Sequence, residues 1–138
     1  MKWKACVTFH SSFPDDSEWD ESGMNIVTAG GHSIAAAITA ALDVAGCECD
    51  QIGPVDYYGW VFDISYGRAV VYCVIQSLAQ EENKWLLLLE SKRFLADFFL
   101  MRDNQADVKR IQQSFEMVLA QDSRIFDVVW KIGVWDFV

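Results

Sequence analysis

Five carboxylates, Asp15, Asp16, Glu18, Asp20 and Glu21, surround Trp19, and no Lys or Arg lies between Lys4 and Arg68. Three kinds of chemistry use such a run. Calcium needs oxygen ligands at alternating positions, a central glycine and a distal bidentate acid. Here Ser17 and Trp19 take alternate positions and Gly23 comes late, so a solvated acidic loop is the simpler reading and no metal is expected. Glycoside hydrolysis needs two carboxyl groups at a set separation across a cleft, a separation that sequence does not show, and a loop of this composition reads as too mobile to hold it. A binding surface asks for less: an aromatic anchor, with acids that steer a positively charged partner toward it. The residues favour this third use. The expected contact residues are Asp15, Asp16, Glu18, Trp19, Asp20 and Glu21, joined by Asp56 and Tyr57.

Other reactive groups lead to no catalytic assignment. Cys6, Cys47, Cys49 and Cys73 are irregularly spaced, and Cys47-Glu48-Cys49 is a C-x-C, not the C-x-x-C of most zinc and redox sites. His10 and His32 would meet only if the end of the first strand adjoins the start of the first helix. No nucleophile elbow or cysteine-protease signature accompanies them. Gly30-Gly31-His32-Ser33 opens a helix whose free N–H groups suit an anion. It lacks the Lys-Ser/Thr of a P-loop and the spacing of a dinucleotide fingerprint. No catalytic residue, metal or cofactor is therefore expected, and the chain is read as a non-enzyme.

The totals set the class. A chain of 138 residues, 52% hydrophobic with six tryptophans, predicts one domain, 1–138, with a substantial core. Twenty acids against eleven bases give a net charge of -9. That disfavours nucleic acid, which demands a basic surface, and equally an anionic membrane surface. No apolar run approaches the roughly 20 residues of a membrane span. The start has no apolar signal-peptide core, and reduced thiols suit the cytoplasm.

Hydrophobic periodicity supplies the elements that must hold the loop. Trp3, Ala5, Val7 and Phe9 alternate with polar or small residues, a strand ended by Pro14. Ile34, Ile38, Ala41, Leu42 and Ala45 predict a helix over 29–45, capped by Ser33 or Thr28 and closed by Gly46 in a left-handed conformation. The aromatic run Asp56-Tyr57-Tyr58-Gly59-Trp60-Val61-Phe62-Asp63 begins a strand with Trp60, Phe62 and Ile64 on its core face. Tyr66-Gly67 reverses the chain into a strand over 69–76. Ala79-Gln80-Glu81-Glu82-Asn83 is a polar connection to the strand from Lys84 to Glu90. Short connections make these neighbours antiparallel. Phe94 to Met101 has two readings, a helical turn covering the sheet or a partner contact. Val108, Ile111, Phe115, Val118 and Leu119 predict a helix over 104–120 with Asp103 or Asn104 as cap. In the last strand Phe126, Val128, Trp130, Ile132 and Val134 share one face, and Ile125, Asp127, Val129, Lys131 and Trp135 the other. The order β-α-β-β-β-α-β predicts an α+β two-layer sandwich: a mainly antiparallel sheet of about five strands with two helices on one face.

Three segments, Asp56-Tyr57-Tyr58-Gly59-Trp60-Val61-Phe62, Lys84-Trp85-Leu86-Leu87 and the run from Gln121 to Trp130, carry a resemblance. With the acidic segment and the helix ending in glycine, they resemble a loose group of small bacterial proteins with a D-Y-G-W-like strand, similar in turn to immunity proteins of toxin systems and to orphan products of mobile genes. This chain departs from the pattern with an extra tyrosine before Gly59 and a tail beyond Trp130. The resemblance implies no catalytic residues. It adds to what the acidic loop and the missing catalytic set already suggest, an acidic cytoplasmic binding domain, an immunity or antitoxin-like inhibitor of a basic partner such as a toxin. Two other expectations stand beside it. One is a small-ligand protein or enzyme with a pocket between sheet and helices, involving Tyr57, Tyr58, Trp60 and His32. The other is a homodimer formed through the C-terminal strand with Trp135 and Phe137.

Overall fold

The computed structural model describes residues 3–55, 58–78, 81–92 and 103–133. The chain is α+β, with nine strands and two helices among the described residues. They are β1 (Lys4–Ser11), β2 (Glu18–Trp19), β3 (Ile26–Thr28), α1 (His32–Val44), β4 (Glu48–Cys49), β5 (Gly53–Val55), β6 (Gly59–Tyr66), β7 (Ala69–Ser77), β8 (Lys84–Lys92), α2 (Gln105–Gln121) and β9 (Ile125–Ile132). The main sheet runs β4-β6-β7-β8-β1-β9, with β5 on the same side of β6 as β4. Every pairing is antiparallel. The five long strands and two helices match the order read from periodicity. The short β2–β3 hairpin and the fragments β4 and β5 are additional. Their two or three residues each are too few to show a period.

One sheet face carries the core. Cross-strand register aligns Phe62 with Cys73, Cys73 with Leu89, and Leu89 with Ala5, and the next row aligns Ile75, Leu87 and Val7. Ile34, Ile38 and Leu42 of α1 and Val108, Ile111, Phe115, Val118 and Leu119 of α2 close onto that face. Phe9, Phe115, Leu87 and Ile64 are fully buried, each contributing about 2 kcal/mol of hydrophobic stabilisation. These side chains pack the layer between sheet and helices. The other face is not purely polar. The unbroken apolar run in β8 puts Leu86 there, and Leu86, Cys6 and Val74 are all buried.

Two loops are held by helices. Gly46 adopts φ 98° and ends α1, with Cys47 N–H donating to the Leu42 carbonyl at 3.0 Å. At the β6–β7 turn, Arg68 N–H donates to Asp107 Oδ2 at 2.9 Å, so α2 clamps that hairpin. Gln105 N–H donates to Asp103 Oδ1 at 2.9 Å, which makes Asp103 the side chain that serves the start of α2.

Two expectations need correction. α1 begins at His32, not at residue 29, because Gly31 takes φ 107° and breaks the helical path. Neither Ser33 nor Thr28 caps it. The last strand also fails to alternate throughout. Asp127 adopts φ 55°, and the β1–β9 register shifts between Thr8 and His10. This bulge inserts one residue and inverts the faces upstream of it. Ile125 is therefore buried in the core and Phe126 lies exposed on the far face, the reverse of the alternation. The expectations for Phe94 to Met101, Val134, Trp135 and Phe137 lie outside the described residues.

Candidate functional site: an acidic cleft beside the first helix

The acidic loop is organised by its own carboxylates. Asp15 Oδ1 accepts the Ser17 N–H at 2.9 Å, which holds its pKa below the usual carboxylate range. Asp20 is the hub of the β2–β3 turn. It accepts the Ser22 hydroxyl at 2.6 Å and the Asn25 side-chain amide at 2.8 Å, and these bonds lower its pKa to about 2, that from Ser22 most. Short polar side chains that fold back on nearby backbone build turns of this kind.

Asp16 does something different. Its two oxygens accept the Gly31 N–H at 2.8 Å and the Ser33 N–H at 2.9 Å. The helix-opening N–H groups that suit an anion are thus occupied by a carboxylate of the same chain. The glycine pair has a packing reason as well: a Cβ on Gly31 would lie 2.8 Å from the Trp85 ring. Trp60 fixes the other end of this junction by donating its Nε1–H to the Ala29 carbonyl at 3.0 Å.

With three acids committed to the loop, Glu18 and Glu21 project into solvent. Trp19 is 54% exposed and its Nε1–H donates to Ser17 Oγ at 3.2 Å. Met24 at the hairpin tip and Val27 in β3 are also exposed. The loop lies across the end of the sheet from the β7–β8 turn, leaving a cleft of about 530 Å³. Asp15 and Trp19 line one side, Glu81 and Glu82 the other, with Tyr58 and Trp85 contributing aromatic surface. Lys84 pairs with Glu81 at 3.2 Å. The cleft is therefore aromatic with an acidic rim drawn from two distant segments.

Of the residues expected to form the site, Asp15 and Trp19 line this cleft. Asp16 and Asp20 hold the loop that builds it, and Glu18 and Glu21 flank it on the exposed hairpin. Asp56 and Tyr57 lie outside the described residues. Sequence reasoning did not place Glu81 and Glu82 at the site, because they sit in a segment whose polarity reads as an ordinary connection. Trp85 belongs to the core, as its alternation predicts, and also lines the cleft. Only the acid pair Glu81-Glu82 signals a second acidic segment.

The two histidines occupy separate clusters. His32 packs edge-on against Trp60 with ring centroids 4.7 Å apart. His10 stacks on Phe126 at 5.9 Å, its Nε2 3.2 Å from Glu81 and its Nδ1 3.4 Å from Asp127. The four thiols are free. Burial pushes Cys49 up to about 12, assisted by the Asp43 charge, and raises buried Cys73 as well, so both stay protonated and poorly nucleophilic at neutral pH. Among the described residues no three His, Cys, Asp or Glu side chains converge as metal ligands, and no helix is long and apolar enough to cross a membrane. No protein-family model matches the chain, and neither a curated protein nor a solved structure matches it.

Proposed function

We propose that this chain is a non-enzymatic, acidic protein-binding domain of the cytoplasm that takes a basic segment of a partner protein into the cleft, as an immunity or antitoxin-like inhibitor does. The observation that carries the reading is the convergence of Asp15, Glu81 and Glu82 on one aromatic cleft beside exposed Trp19. Aromatic faces attract lysine and arginine head groups, and carboxylates at the rim pair with them. An exposed tryptophan ringed by acids is the composition of an interface anchor with a polar rim.

An arginine-rich peptide serves as the probe. Titrated into labelled protein, it should move the amide resonances of residues 15–30 and 81–85 ahead of all others. Affinity should fall as salt rises, because contacts of this kind are screened. The variant Glu18→Gln/Glu21→Gln/Glu81→Gln/Glu82→Gln should weaken binding at least about tenfold, since rim charges each contribute a fraction of a kcal/mol. Resonance changes spread evenly to the remote acids Asp43 and Glu48 would overturn the assignment, because they would show attraction to net charge alone.

A further inference from the structure

Among the described residues β9 is the last strand on its side of the sheet. Gly133 donates its N–H to the Lys4 carbonyl at 2.7 Å, and backbone groups alternate in direction along a strand. The N–H and C=O groups of Val128, Trp130 and Ile132 therefore point away from β1, and no described residue pairs with them. An open edge of this kind can accept another strand. Apolar surface accompanies it: Phe126, Val129 and Ile132 are each about half exposed.

The strand is complementary to its own reverse. In Asp127-Val128-Val129-Trp130-Lys131, an antiparallel pairing centred on Val129 sets Val129 against Val129, Val128 against Trp130, and Asp127 against Lys131. A two-fold axis generates each off-centre pair twice. The faces agree as well. Val129 and Lys131 lie opposite Thr8 and Cys6 on the sheet face away from the helices, and the Asp127 carboxylate approaches His10 on that face. The free backbone groups of Val128 and Trp130 come into register as a hydrogen-bonded pair, leaving the Val129 pair between them. Upstream of Asp127 the bulge turns the chain out of this register, so the contact is short.

We propose that β9 pairs antiparallel with β9 of a second copy of this chain, about a two-fold axis through Val129, joining the two sheets into one. A bulge and a lysine are also devices that keep an edge strand from pairing. The net charge of -9 on each copy opposes association, so the dimer forms in a concentration-dependent way.

Sedimentation of the full chain over a concentration series separates pairing from protection. The wild type should show a monomer–dimer equilibrium. Asp127→Lys and Lys131→Glu each set like charges across both outer pairs, and each should weaken self-association about tenfold. An equimolar mixture of these two variants restores both ion pairs and should associate about as well as the wild type. Val129→Lys alters a side chain already exposed in the monomer and should also give a monomer with unchanged circular dichroism, which keeps the test valid if Asp127→Lys folds poorly. A wild type that sediments as a monomer at every concentration overturns the interface. A dimer that survives Val129→Lys, or a mixture no better than its components, overturns this register.

Discussion

At the scale of single residues, the informative carboxylate is the one that reaches the start of a helix. Asp16 accepts two N–H groups at the start of α1, where a helix has four donors without intrahelical partners. It also ties the acidic loop to the core, because α1 is anchored there by Ile34 and Ile38. Asp16→Ala should cost about 1–2 kcal/mol of stability, as for other helix caps, whereas Glu18→Ala, at an exposed position, should stay within about 0.5 kcal/mol. Urea unfolding of both variants measures the difference. Equal effects would mean that Asp16 does not hold the helix. This role was hidden in the sequence because capping rules search the residues next to a helix, and Asp16 lies 15 residues before Gly31. The crowd of acids was visible. Their division between holding the loop and facing solvent depends on which backbone donors fold back to meet them.

At the scale of elements, alternation is readable wherever a strand keeps its register. Trp60, Phe62 and Ile64 fall on the core side of β6 as their spacing predicts, and so do Ala5, Val7 and Phe9 in β1. Alternation misleads in β9 because one residue, Asp127, takes a left-handed conformation and shifts everything before it by one place. Aspartate tolerates that conformation better than most side chains, since its short polar group can bond locally. The bulge therefore predicts an order of preference. Asp127→Gly should change stability by no more than about 0.5 kcal/mol, because glycine adopts positive φ freely. Asp127→Val should cost about 1–2 kcal/mol, because a β-branched side chain resists it. Thermal unfolding ranks the pair. A valine variant as stable as the glycine variant would show that the bulge relaxes without cost. Fold class and strand order along the chain thus survive a local irregularity that the hydrophobic pattern does not announce.

At the scale of the molecule, charge and shape divide the work of binding. From residue 5 to residue 67 the chain has acids and no Lys or Arg, and this stretch includes the β2–β3 hairpin with Trp19. An excess of acids around a cleft accelerates encounter with a basic partner and is screened by salt. A tryptophan anchor acts later, by holding the complex once formed. The two contributions are separable by rate. With the arginine-rich peptide as probe, Glu18→Gln/Glu21→Gln should lower kon several-fold and flatten its dependence on salt, leaving koff nearly unchanged. Trp19→Ala should leave kon and its salt dependence almost intact and raise koff by about tenfold or more, as loss of an aromatic anchor does. Stopped-flow fluorescence of a labelled peptide at two ionic strengths reads all four quantities. If the charge variant acts only on koff, the acids are contact residues rather than a steering field. If Trp19→Ala acts only on kon, the exposed indole is not buried by the partner, and the anchor must come from Tyr58 or Trp85 deeper in the cleft.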